Sequence, residues 1–280
     1  VATVDDSWNL YNGIRCVSEF LESIEKIDFS KYYYDSKYER QMEHVKTFPY
    51  QARVLRAFYL FELARRYGDI PVPMKMLSIE EANTIAKTPF DQVIDFIVAE
   101  CDECAPNLPT TYIGMLDDEY GRATKGFAMA VKTKALLYAA SKLHNPEMDP
   151  EKWKKAALAA QDVINLGIYV LDSGDKVNTT ASPENILIRM NSESNSFEEY
   201  NFPVRFTEGQ RTYMSGTYPT QNLVDAFQTI NGYDVTLTAN GWESKDPDFD
   251  PARPYDNRDP RFARTILANG MDFKGTKIET

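Results

Sequence analysis

The clearest hydrophobic pattern in the chain lies in residues 54–73, VLRAFYLFELARRYGDIPVP. Apolar residues recur there every three or four positions: Ala57, Leu60, Phe61, Ala64 and Tyr67. This spacing predicts one face of an amphipathic helix over about 47–67, packed against neighbouring elements. Thr47 supplies a candidate N-cap and Pro49 a first-turn proline. Gly68 and the prolines after it predict an abrupt stop and an extended exit.

The same reasoning predicts four more helices in the first 165 residues. One begins after Ser7 and runs to about Lys26. The others begin at Thr88-Pro89, near Thr124 and at Asp149-Pro150, each with a cap or a first-turn proline. Ser78 and Glu81 have capping-box spacing, whereas 29–40 reads as an irregular loop. The last two helices form a pair of about 34 residues, the size of a tetratricopeptide unit.

The pattern changes after Gly167. Residues 168–280 are rich in turn-forming residues, with only short stretches typical of strands and a short capped helix near Thr220. We therefore predict a mostly α fold with two regions in one integrated domain. Residues 1–167 form a helical tetratricopeptide-like scaffold, and 168–280 form a loop-rich, minor-β, ligand-binding region. The absence of an initiator Met and of a closing element suggests truncation at both ends.

Composition narrows the function classes. The 280 residues are 43% hydrophobic and 26% charged, with a formal net charge of −11. This charge argues against a general nucleic-acid binder, which needs a basic face for the phosphates. No apolar run approaches the about 18 residues that a membrane span requires.

Cysteine and histidine usage argues against redox, metal and triad chemistry. Cys101 and Cys104 have C-x-x-C spacing, but they fall late in a predicted helix, where a reactive thiolate is not favoured. We interpret both as buried helix residues. With only two histidines, and without the common catalytic motifs, the sequence indicates no enzyme. A glycosidase with two carboxylates remains a remote alternative among 42 acidic residues.

Six separated stretches, in order, carry a family resemblance. They are SWNLYNGIRCVSEFLESIE, RAFYLFELARRYGDIPVP, TPFDQVIDFIVAECDECAPNLP, RATKGFAMAVKTKALLYAAS, YPTQNLVDAF and DNRDPRF. Together they span about residues 7–265 and resemble the SusD/RagB family of outer-membrane nutrient-binding lipoproteins of the Bacteroidetes type. Phe127 departs from the family pattern, where a small residue is common, and we read this as core variation.

The resemblance implies a tetratricopeptide-like scaffold with a loop-rich region packed against it. Such proteins cap a SusC-like TonB-dependent transporter and hold an oligosaccharide at the cell surface before uptake; they are not enzymes. It also implies outer-membrane attachment through an N-terminal lipid anchor that is absent from this chain. A peptide-binding member and a tetratricopeptide-type interaction scaffold remain alternatives, and the glycan itself leaves no motif.

Sugar binding requires exposed aromatic faces beside side chains that hydrogen-bond hydroxyl groups. Trp242 is the first choice, because Gly241 and its polar neighbours suggest an exposed loop. The other candidate ligand-binding residues are Tyr213, Tyr218, Tyr33, Arg211 and Asn240. The alternative for each aromatic is a half-buried ring that braces a loop.

Asp246, Asp248 and Asp250 alternate as in a calcium-binding loop. The segment lacks the glycine and the distant glutamate of an EF-hand, so a solvated acidic loop is the main alternative. Calcium is therefore only a minor hypothesis, and no other cofactor is expected.

Overall fold

The computed structural model describes residues 7–113, 120–172, 179–180, 182–190, 194, 201–202 and 218–278. Its internal contacts divide the chain into two units, 1–191 and 192–280. Each unit is described separately.

The first unit is helical. Its helices are α1 (Leu10–Ile24), α2 (Tyr38–Val45), α3 (Phe48–Tyr67), α4 (Ile79–Thr84), α5 (Phe90–Cys104), α6 (Lys125–Ala140) and α7 (Pro150–Asn165), with 3-10 turns at Ser30–Tyr32 and Ala105–Asn107. Packing follows chain order: α1 lies against α3, α3 against α5, α5 against α6, and α6 against α7. All five of the predicted long helices are present. None of the described helices is long and apolar enough to cross a membrane.

Helix α3 forms the centre of the unit. The predicted face is confirmed, because Ala57, Leu60, Phe61 and Ala64 are at most 1% exposed. The prediction of a one-sided amphipathic helix was wrong, since Gln51 and Leu63 on other sides are also buried. Neighbouring helices therefore surround α3, and burial on several sides removes the need for a polar face.

The two ends of α3 agree with the predicted start and stop signals only in part. Gly68 has φ +71°, which confirms the glycine stop. Thr47 is not a cap, because its backbone is helical and its hydroxyl donates to the carbonyl of His44 at 2.7 Å. The cause is helix α2, which the sequence did not predict and which leads almost directly into α3.

Two other helix starts test the capping signals. Ser78 and Glu81 form the predicted capping box at α4. The predicted Thr88 cap of α5 was wrong: the carboxylate of Asp69 accepts the Phe90 N–H at 2.8 Å. The Thr88 backbone pairs instead with Ile70. The cap of α5 therefore comes from the exit loop of α3, 21 residues earlier.

An ion network joins α3 to α5. Arg53 donates to Glu100 at 2.6 Å and to Glu103 at 2.6 Å. Arg56, with 4% of its side chain exposed, donates to the other Glu100 oxygen at 3.1 Å. Glu100 thus pairs with two guanidinium groups, one of them buried, and Glu103 supplies the second negative charge of the network.

The described part of the second unit contains α8 (Gln221–Asp225), β1 (Val235–Thr238), β2 (Gly241–Ser244), α9 (Pro260–Thr265), β3 (Asp272–Phe273) and β4 (Thr276–Lys277). The strands pair as two antiparallel hairpins, with Val235 opposite Ser244 and Asp272 opposite Lys277. A small core is formed by Val224, Phe262, Ile266 and Ala268.

The DNRDPRF stretch has a structural role in this unit. Arg258 is buried and its guanidinium donates to the carbonyls of Val224 and Phe227 at the C-terminal end of α8. Asp259 caps α9 by accepting the Arg261 N–H at 2.8 Å. The stretch therefore ties two short helices together.

Candidate ligand-binding site

Exposed tyrosines cluster in the segment between α1 and α2. Tyr32, Tyr33 and Tyr34 are 54%, 66% and 92% exposed. The Tyr33 ring lies edge-on to Tyr34, with centroids 5.1 Å apart, and 6.3 Å from Tyr38 at the start of α2. The cluster thus presents several ring faces to solvent from one short segment. We call these four tyrosines the tyrosine cluster.

Local hydrogen bonds explain how this polar segment holds its shape. The Asp28 carboxylate accepts the Ser30 N–H at 2.9 Å, and that of Asp35 accepts the Lys37 N–H at 2.7 Å. Both contacts are typical Asx turns, which need no buried partner. Hydrogen bonds from the Ser30 side chain and backbone lower the pKa of the Asp28 carboxyl group, because they stabilise its charged form.

A cleft of about 370 Å³ opens between this segment, α2 and α3. We call it the aromatic cleft; its lining residues are Phe29, Tyr32, Tyr38, Gln41, Met42, His44, Val45, Phe48 and Arg122. The Arg122 guanidinium lies 5.0 Å from the Phe48 ring centroid, a cation–π distance. Buried His44 packs 5.2 Å from Phe48 and holds α2 in place.

The chemistry of this cleft suits a polyhydroxylated ligand. Aromatic ring faces can stack on the apolar side of a pyranose, and tyrosine hydroxyls, an amide such as that of Gln41 and a guanidinium such as that of Arg122 can hydrogen-bond its hydroxyl groups. Tyr33, which the sequence predicts to contact the ligand, thus lies beside other aromatic and hydrogen-bonding side chains. The sequence analysis missed Tyr38, Gln41, Phe48 and Arg122. Tyr38, Met42 and Val45 recur at helical spacing, a signal that pointed to α2.

Trp242 does not lie in an exposed loop, and this part of the prediction was wrong. It is a residue of β2 opposite Leu237, half-buried, with its ring 5.6 Å from Tyr255 and packed on the small core. Asn240 lies in the two-residue turn between β1 and β2, exposed to solvent. Its N–H donates to the Thr238 hydroxyl at 3.1 Å. The structure thus places these two candidates in one hairpin.

The remaining candidates lie elsewhere. Tyr218 is 74% exposed, just before α8 in the second unit. Tyr213 and Arg211 lie outside the described residues. Whether these residues contact a ligand stays a prediction.

The three aspartates of the acidic loop are already engaged in local contacts. The Asn231 amide donates to Asp246 at 3.2 Å and to Asp248 at 3.3 Å. Asp250 accepts the Ala252 N–H and pairs with Arg253. Within the described part of the chain, no group of three or more His, Cys, Asp or Glu side chains is arranged to hold a metal. The geometry therefore does not favour the calcium hypothesis over a hydrogen-bonded loop.

Comparisons with known proteins support the family relation. Residues 175–279 match the model of the SusD family. The fold is similar to that of a SusD-like carbohydrate binding protein from Bacteroides fragilis, with TM-score 0.73 and 24% identity over 99% of this chain and 48% of that protein. It is also similar to another SusD-like protein from Bacteroides fragilis, with TM-score 0.69 and 23% identity over 95% of this chain and 50% of that protein.

A search of curated protein sequences gives no significant match. The family match confirms the predicted relation to the SusD/RagB family, and the structural similarities confirm the mostly helical SusD-like fold. The chain spans about half the length of the two solved structures.

Proposed function

We propose that this chain is part of a cell-surface protein that binds an oligosaccharide through the tyrosine cluster and the aromatic cleft. The observation that supports the proposal most is the exposure of Tyr33 and Tyr34 beside a cleft with aromatic walls. Contiguous exposed apolar patches on a protein surface mark interaction sites and ligand-binding grooves. A similar fold occurs in a protein described as carbohydrate binding, which supports the same ligand class.

The proposal includes a transport role. We expect the whole protein to be attached to the outer membrane by a lipid anchor outside this chain and to deliver its ligand to a SusC-like TonB-dependent transporter. The family relation supports this role, and the ligand remains chemically unchanged. We also propose that Trp242, Asn240 and Tyr218 of the C-terminal unit contact the ligand. The sequence suggests the same role for Tyr213 and Arg211.

The binding test compares two variants by calorimetry and affinity electrophoresis against a panel of neutral oligosaccharides. Removing two stacking rings in Tyr33→Ala/Tyr34→Ala is expected to weaken binding about tenfold or more. Tyr233→Ala is the matched control, because Tyr233 carries the same ring, is 42% exposed and does not line the cleft. Equal affinities of the double variant and the wild type would reject the site.

Trp242→Ala tests the proposed ligand contacts in the C-terminal unit. Because Trp242 packs on the core of its unit, the variant is first checked for folding by circular dichroism. If every glycan affinity then stays unchanged, Trp242 is not a ligand contact. Binding of unstructured peptides in place of all glycans would favour the alternative of a peptide-binding member.

The transport role has its own test. Antibody pull-down of the native protein from solubilised outer membranes is expected to recover a TonB-dependent transporter. If the pull-down recovers the protein without any transporter, the transport role is contradicted, whereas the proposal of glycan binding is unaffected.

A further inference from the structure

A second cavity lies between α1, the exit loop of α3 and α4, and its volume is about 330 Å³. We call it the α1–α4 cavity. Its apolar lining is largely aliphatic and comes from all three segments: Ile14, Pro71, Pro73, Leu77, Ile79 and Ile85. Voids larger than a water molecule are rare in protein interiors, whereas ligand pockets begin at about 300 Å³. The α1–α4 cavity is therefore large enough to hold a small molecule.

Hydrogen bonds between distant segments fix the walls of this cavity. The Tyr11 hydroxyl on α1 donates to the Pro71 carbonyl at 2.8 Å, and the Glu22 carboxylate on the same helix accepts the Met76 N–H at 3.1 Å. The prolines of the loop restrict its backbone, and the capping box holds the start of α4. The cavity is therefore formed before a ligand arrives, which lowers the entropic cost of binding.

The hydroxyl groups in the lining already have partners within the protein. Besides the contact of Tyr11 with the loop, the Ser18 hydroxyl donates to the Ile14 carbonyl at 3.2 Å. The Ser78 hydroxyl accepts the Glu81 N–H at 3.2 Å. The hydroxyl groups of a sugar would lose water in this cavity and gain few new hydrogen bonds. The lining thus favours an apolar ligand, in contrast to that of the aromatic cleft.

The charged side chains of the lining are both cations, Arg15 and Lys75. Lys75 pairs with Glu81 at 2.6 Å. Arg15 is exposed on α1, next to Ile14, and makes no hydrogen bond or ion pair with any residue that the structure describes. A guanidinium group binds a carboxylate through two parallel hydrogen bonds. Charge complementarity therefore favours a carboxylate at the mouth of the cavity.

We propose that the α1–α4 cavity binds a free medium-chain fatty acid, with the alkyl chain against the aliphatic lining and the carboxylate on Arg15. At roughly 30 Å³ for each non-hydrogen atom, the volume that a water molecule occupies in the liquid, the cavity holds about ten such atoms. Octanoate has this size. The site shares no lining residue with the aromatic cleft, so the proposal is independent of glycan binding.

The test measures binding by calorimetry with three probes of equal chain length, all below their micellar concentrations: octanoate, 1-octanol and octylammonium. Octanoate is expected to saturate one site, 1-octanol to bind more weakly, and octylammonium not to bind. Arg15→Gln is expected to weaken octanoate binding about tenfold and to leave 1-octanol unchanged, because it removes only the partner of the carboxylate. Arg264→Gln is the matched control, since Arg264 is exposed in the second unit and does not line the cavity.

A second variant tests the location by filling the cavity. Ala82→Phe places a ring among the lining residues and is expected to abolish binding of octanoate and 1-octanol. Ala86→Phe is its matched control, because Ala86 is exposed just after α4 and does not line the cavity. Circular dichroism checks that both variants fold. Tyr33→Ala/Tyr34→Ala is expected to leave octanoate binding unchanged.

Three outcomes would overturn the proposal. The first is the absence of saturable octanoate binding. The second is octanoate binding that Arg15→Gln or folded Ala82→Phe leaves unchanged, because the ligand would then lie elsewhere. The third is binding of 1-octanol or octylammonium as tight as that of octanoate, because the site would then not recognise a carboxylate.

Discussion

At the scale of single residues, exposure separates side chains of the same type into different roles. Tyr34 is 92% exposed in the tyrosine cluster, whereas Tyr112 is 2% exposed and donates its hydroxyl hydrogen to the Ala123 carbonyl. Trp242 has the polar sequence neighbours of a binding residue, yet its ring packs on a core. The sequence shows which chemical groups a side chain has, but the exposed fraction of that side chain depends on segments that are distant in the sequence.

The cysteines lead to a prediction of thiol reactivity. Burial raises the pKa of Cys101 to about 12 and that of Cys104 to about 11, whereas Cys16 is exposed. Because the thiolate is the reactive form, a disulfide reagent at neutral pH is expected to modify one thiol in the folded protein and all three in urea. Cys16→Ser should abolish the reaction of the folded form. Rapid modification of two or more thiols without denaturant would contradict the burial of the C-x-x-C pair.

At the scale of elements, the helix bodies follow the hydrophobic pattern, whereas two of the starts depend on tertiary contacts. The capping box of α4 is local in sequence and was predicted. The cap of α5 comes from Asp69, at the start of the exit loop of α3 and 21 residues before Phe90, and no local pattern reveals it. Helix α2 has a polar sequence, YERQMEHV, and is held by packing of His44 against Phe48 and Tyr112.

The Asp69 cap can be tested against the cap that the sequence suggested. Asp69→Ala removes the acceptor of the Phe90 N–H and is expected to destabilise the protein by about 1 kcal/mol. Thr88→Ala is expected to have a much smaller effect, since Thr88 contributes its backbone to the bridge with Ile70. Urea unfolding followed by circular dichroism measures both. A larger loss for Thr88→Ala than for Asp69→Ala would show that the local cap is the important one.

The ion network between α3 and α5 predicts that replacing its two glutamates has unequal effects on the free energy of unfolding. Glu100→Ala leaves the buried Arg56 guanidinium without its carboxylate and is expected to cost about 3 kcal/mol. Glu103 has 64% of its side chain exposed, so Glu103→Ala is expected to change the free energy of unfolding little. Chemical denaturation compares the two variants. Equal losses would mean that Arg56 finds another partner when Glu100 is absent.

At the scale of the whole molecule, many carboxylates carry lowered pKa values, which predicts acid lability. Hydrogen bonds from Lys75 and from the Ser78 backbone lower the pKa of Glu81 from 4.5 to about 2. Donors from Arg261 lower that of Asp259 to about 2 as well. Between about pH 2 and about pH 4.5, the unfolded chain therefore binds more protons than the folded chain.

The lowered pKa values of Glu81 and Asp259 determine how the stability of the folded chain changes with pH. These groups contribute stability above their unfolded pKa values, and the contribution is lost as the pH falls through the folded values. Urea midpoints measured between about pH 6 and about pH 2.5 are expected to decrease steadily below about pH 4.5. Glu81→Gln should make the decrease shallower. A midpoint that does not change across this range would contradict the lowered pKa values.

The amino-acid sequence by itself determined the long helices, several of their ends and the relation to the SusD/RagB family. These features rest on local signals: hydrophobic spacing, the Ser78 capping box, Gly68, and motifs in a fixed order. Only the tertiary structure decided that Trp242 packs on a core, that Asp69 caps α5, and that the tyrosine cluster stands beside an aromatic cleft. Each of these depends on contacts between segments far apart in sequence, and burial and shape arise only when such segments meet.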